Sequence, residues 1–111
     1  MDARDRTTLE LMVQYAEEAI AWSQENPRWT ESRKDSAAIA HNVSEIGELA
    51  QGRLSNATKA EYHDIPWKLI EKMRNVIRHD YSKPQFDIKI LEATVRNDLK
   101  PLVQRIRTIL G

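Results

Sequence analysis

Apolar residues in this chain return at intervals of three and four almost from end to end, and no stretch shows strand-like alternation. Leu9, Met12, Val13, Ala16 and Ile20 form one such series, and Ile39, Val43, Ile46 and Ala50 form another. Ile88, Leu91, Val95 and Leu99 form a third, which Leu102, Ile106 and Leu110 continue. A spacing near 3.6 lines one face of a helix, whereas a half-buried strand needs strict alternation. The chain therefore reads as all-α, an up-down bundle of four to six helices in one domain spanning residues 1–111.

Helix ends are marked by local chemistry. Thr7 and Glu10 form a capping-box pair, predicting a first helix from Thr7 or Thr8 to about Gln24, closed by Asn26-Pro27. Ser32 with Asp35 opens a second, running to about Leu54. Gly47 lies inside it, where a bare backbone costs about 1 kcal/mol relative to Ala and is best explained by close approach of another helix. Thr58 to Tyr62 gives one or two helical turns. Asp64-Ile65-Pro66-Trp67 reads as the start of a further helix with Asp64 as its cap, ending at His79 or Tyr81 before the Ser82-Lys83-Pro84 break. Asp87 caps the next. Pro101 disturbs a helix interior, so the tail reads as two short helices, with Asp98 as a cap, or as one kinked helix.

The 17 basic and 17 acidic side chains cancel, so any binding of nucleic acid must be local. Between Pro66 and Pro84 the cations Lys68, Lys72, Arg74, Arg78 and Lys83 face only Glu71 and Asp80. The absence of cysteine excludes disulfides, thiol catalysis and cysteine-based zinc sites. His41, His63 and His79 lack metal-ligand spacing, and no cofactor is implied. The chain shows neither a signal-peptide core nor an apolar run of membrane-spanning length, so the expected location is the cytoplasm.

The chemistry gathers in Arg74-Asn75-Val76-Ile77-Arg78-His79-Asp80-Tyr81. An always-charged guanidinium can hold a phosphate, an imidazole can move a proton near neutral pH, and a phenol can accept a transferred group. On an ideal helix Arg74 and His79 point about 140° apart, whereas Arg74 and Arg78 differ by about 40°. One straight helix does not aim Arg74 and His79 together. A sweeping Arg side chain, unwinding near His79, or a two-fold dimer would be needed.

With Ile65-Pro66-Trp67 upstream and Ile46-Gly47-Glu48 in the second helix, the pattern Arg74, four residues, His79, one residue, Tyr81 resembles the HepT-like toxins of the HEPN superfamily. The resemblance implies a symmetric homodimer whose paired motifs line one cleft, and metal-independent cleavage of RNA by Arg74 and His79. Asn75 would support them, and Arg78 and Lys83 would track the RNA backbone. It further implies the toxin half of a type VII-like toxin–antitoxin system, silenced when an MNT-type nucleotidyltransferase antitoxin transfers AMP to Tyr81. That tyrosine, beside a Pro-containing turn, is expected to present its hydroxyl to solvent.

Simpler readings stand beside these. Arg74 can pair with Glu71 or Asp80, His79 can be a solvated residue favoured by the helix dipole, and Tyr81 can be a boundary residue with a packed ring. Glu48 is either turned toward the motif or an ordinary solvated or paired carboxylate. Two other functions share the same pattern. One is a non-catalytic helical module that binds a nucleotidyltransferase and accepts AMP; the other is a plain RNA- or nucleotide-binding domain.

Overall fold

A computed structural model describes all of residues 1–111 and contains no strand. Helix α1 spans Ala3–Glu25, and a single 3₁₀ turn at Trp29–Glu31 leads into α2, Arg33–Gly52. Then come α3 (Asn56–Glu61) and α4 (Trp67–Asp80). The last stretch, α5 (Ile88–Ala93), a π turn (Thr94–Asp98) and α6 (Leu99–Leu110), is continuously helical. No helix is long and apolar enough to cross a membrane.

Several ends fall where their local chemistry puts them. Ser32 accepts the Asp35 N–H at 3.1 Å, and Asp87 accepts that of Lys89 at 3.0 Å. Ser55 caps the short α3 through the Thr58 N–H at 3.2 Å. Three ends differ from expectation. Helix α1 begins four residues before Thr7, because Asp2 accepts the Asp5 N–H at 2.8 Å, and Thr8 Oγ1 bonds back to the Arg4 carbonyl instead of capping. Asp64 does not cap α4, because Arg105 from α6 takes its carboxylate with Nε at 2.5 Å and Nη2 at 3.2 Å. At Pro101 the chain neither stops nor uses Asp98 as a side-chain cap. A wide turn at Thr94–Asp98, in which the Leu99 N–H donates to the Thr94 carbonyl, precedes Pro101, and the helix runs on through it.

Helix α2 lies between α1 and α4, and α1 packs in turn on α6. Leu9, Met12, Ala16, Ile39, Ile46, Leu91 and Ile106 are almost wholly enclosed along these contacts. Each of the larger apolar side chains contributes about 1.5–3 kcal/mol on burial. Gly47 is where α2 and α4 come nearest: a Cβ there would lie 2.8 Å from the Ile70 carbonyl oxygen and closer still to Arg74 Cβ. The close approach expected at this glycine is therefore present. It fixes the base of the Arg74 side chain.

Candidate functional site

Helix α4 carries the motif and is held at both ends. In its first turn the Trp67 indole donates to the Lys59 and Tyr62 carbonyls at 3.2 and 3.1 Å, tying it to α3. Ile77 is buried farther along. The helix stays regular to Asp80, so no unwinding turns His79 toward Arg74.

Arg74 faces α2. Its Nε donates to Glu48 Oε2 at 2.8 Å, its Nη2 lies 2.7 Å from the same oxygen, and its Nη1 donates to Asn75 Oδ1 at 2.7 Å. Arg78, one turn on, reaches that Glu48 oxygen through Nη1 at 3.2 Å. Glu48 is both turned toward the motif and paired, and its partner is the motif arginine itself. Glu71 and Asp80, the partners considered for Arg74 from spacing, are occupied by Lys59 at 3.7 Å and Lys83 at 3.5 Å.

His79 is exposed on the other flank of α4, and no hydrogen bond links it to Arg74. The structure thus brings together Arg74, Asn75 and Arg78 around Glu48, and leaves His79 and Lys83 apart at the helix end. A single chain offers two arginines gathered on one carboxylate and a separate exposed imidazole.

Tyr81 departs from its expected free hydroxyl. Its ring is half-buried, edge-on to Phe86 with centroids 5.4 Å apart, and its Oη lies 2.8 Å from Ser36 Oγ on α2. Ser36 is buried and also lies 3.3 Å from the Arg33 carbonyl, and in its pair with Tyr81 either hydroxyl can donate. Ser36 was absent from the candidates read from sequence. Its place on the buried stripe of α2 is the signal, because an enclosed hydroxyl needs a partner.

Beyond the far flank of α4 runs an open groove of about 720 Å³ toward α5 and α6, lined by Leu69, Met73, Val76, Ile90 and Leu102 among others. Leu69 is 66% exposed and Ile90 45%, leaving this apolar face uncovered.

No curated protein and no solved structure matches the chain. The model of the family described as "Ribonuclease HepT-like" does, over residues 8–109. That span takes in α2 to α5 whole, nearly all of α1 and α6 and the whole motif segment of α4, and the chain therefore belongs to the ribonuclease HepT-like family.

Proposed function

We propose that this protein is a metal-independent endoribonuclease, the toxin of a type VII-like toxin–antitoxin pair. The family match over residues 8–109 carries this reading, and the arrangement along α4 supports it. In the proposed reaction the RNA 2′-hydroxyl attacks the adjacent phosphorus and the P–O5′ bond breaks, giving a 2′,3′-cyclic phosphate and a 5′-hydroxyl. His79 takes the proton from the attacking hydroxyl or supplies one to the leaving oxygen, and Arg74 holds the charged phosphoryl oxygens. Asn75 supports Arg74, and Arg78 and Lys83 attract the backbone in a salt-dependent way. Because Arg74 and His79 sit on different flanks of one α4, the working site takes them from two copies related by a two-fold axis. The test is incubation of the purified protein with RNA in EDTA. Fragments ending in cyclic phosphate are expected, and intact RNA after incubation with the folded dimer would overturn the reading.

Silencing acts through Tyr81 in the same proposal. Its phenolic oxygen attacks the α-phosphorus of ATP on an MNT-type nucleotidyltransferase, pyrophosphate leaves, and the attached AMP places negative charge beside Arg78 and Lys83. The hydroxyl must first leave Ser36. Intact-mass measurement after incubation with the partner and ATP is expected to show added AMP on the native chain and none on Tyr81→Phe. Ser36→Ala should be modified about 2- to 10-fold faster, the equivalent of one released neutral hydrogen bond. Equal modification of Tyr81→Phe would remove this residue from the mechanism.

A further inference from the structure

We propose that Glu48 is a positioning residue for Arg74, holding one edge of its guanidinium so that the other faces the RNA phosphate; the proposal rests on the ribonuclease reading above. Guanidinium carries five N–H groups. Glu48 accepts the Nε–H and forms an ion pair beside Nη2, and Asn75 accepts one N–H of Nη1, so N–H groups on Nη1 and Nη2 remain for a substrate oxygen. The side chain is aimed from both ends, with its Cβ set by the contact over Gly47 and its tip held by Glu48. Arginine is long and flexible, and fixing it before RNA arrives removes an ordering cost from the reaction.

Stability does not explain the arrangement. Glu48 and Arg78 are 44% and 52% exposed and their pair adds little to folding, and the Arg74 pair, though the arginine is only 20% exposed, ends on the same half-exposed carboxylate oxygen. Nor does simple neutralisation, since one carboxylate set between two arginines leaves a net positive charge. Glu48 approaches along the Nε side and does not need to leave for a phosphate to bind.

The experiment compares native protein with Glu48→Ala and Glu48→Gln, measuring kcat on RNA and affinity for 2′-O-methyl RNA, which lacks the attacking hydroxyl. Glu48→Ala should lower kcat on the order of 10²-fold through misplacement of Arg74. The same change should tighten binding of the methylated RNA at low salt, because a negative charge beside two arginines is gone. Glu48→Gln keeps an acceptor oxygen and should stay within about 10-fold of the native rate. A merely structural defect would weaken binding and rate together, and an unchanged kcat in Glu48→Ala would overturn the proposal. If the native protein leaves RNA intact, the ribonuclease reading fails, and the positioning role is decided separately by NMR. The Arg74 Nε–H signal, identified by its loss in Arg74→Lys, should exchange slowly in the native protein and rapidly in Glu48→Ala; equal exchange in the two would refute it.

Discussion

Replacing His79 with alanine should slow RNA cleavage by 10²- to 10⁴-fold and leave the fold intact, because in the proposed mechanism this exposed imidazole moves a proton. In barrier terms this is about 3–5 kcal/mol. His79 is exposed at the end of α4, and exposed substitutions of this kind usually shift stability by less than about 0.5 kcal/mol. The two effects are thus expected to separate cleanly. Initial-rate assays on RNA, with urea unfolding of the same preparations, make the comparison. If the site draws on two copies, mixing His79→Ala with Arg74→Ala should restore part of the activity, because a mixed dimer keeps one complete pair. A fully active, folded His79→Ala protein would exclude the imidazole from the chemistry.

Asp5 should be the most sensitive polar position for stability. It is 2% exposed, and its carboxylate accepts from the Ser55 N–H at 3.0 Å and from the Ser55 and Thr58 hydroxyls at 2.5 Å each. This joins the first turn of α1 to the start of α3. Hydrogen bonds to a charged group are worth about 1.5–3 kcal/mol each and are not additive, so Asp5→Ala should cost roughly 3–5 kcal/mol in urea unfolding. Against a total stability of about 5–15 kcal/mol, that is a large share.

The pH dependence of this contribution has a definite sign. Burial pushes the Asp5 carboxyl up, but the hydrogen bonds from Ser55 and Thr58 prevail and hold it below its ordinary 3.8. A carboxyl lowered by folding adds stability above its unfolded value and loses it as the pH falls through the folded one. The gap between native protein and Asp5→Ala should therefore be constant near neutrality and shrink as the pH falls below about 4. A gap that widened in acid would contradict this account.

What could be read from sequence was what neighbours in the chain decide. The apolar spacing announces helices, and the caps at Ser32 and Asp87 form from residues two or three apart. Of the misplaced ends, one follows from a nearer cap at Asp2 and one from a distant partner of Asp64. Thr7 and Glu10 have the pattern of a cap, but Asp2 starts the helix earlier, and Asp5 is then claimed by Ser55 and Thr58, about fifty residues away. Asp64 has the chemistry of a cap, but Arg105 takes it across 41 residues. The motif showed the same division. Arg74, Asn75, His79 and Tyr81 stood out as residue types at fixed spacing, whereas the oxygens that hold two of them, on Glu48 and Ser36, belong to another helix. Nothing within α4 specifies those partners.

The π turn at Thr94–Asp98 bears on chain length as well as on Pro101. Leu91, Val95, Leu99 and Val103 are buried at steps of four residues, a spacing that drifts by about 40° per step around an ordinary α-helix. A wider turn takes up one extra residue and cancels much of that drift, keeping the buried side chains in phase from α5 into α6. The helix behaves like a screw with one slack thread. A version of this chain one residue shorter there could run as uninterrupted α-helix, with its apolar positions re-spaced at three and four, so differences in length among related sequences are best accommodated at this turn.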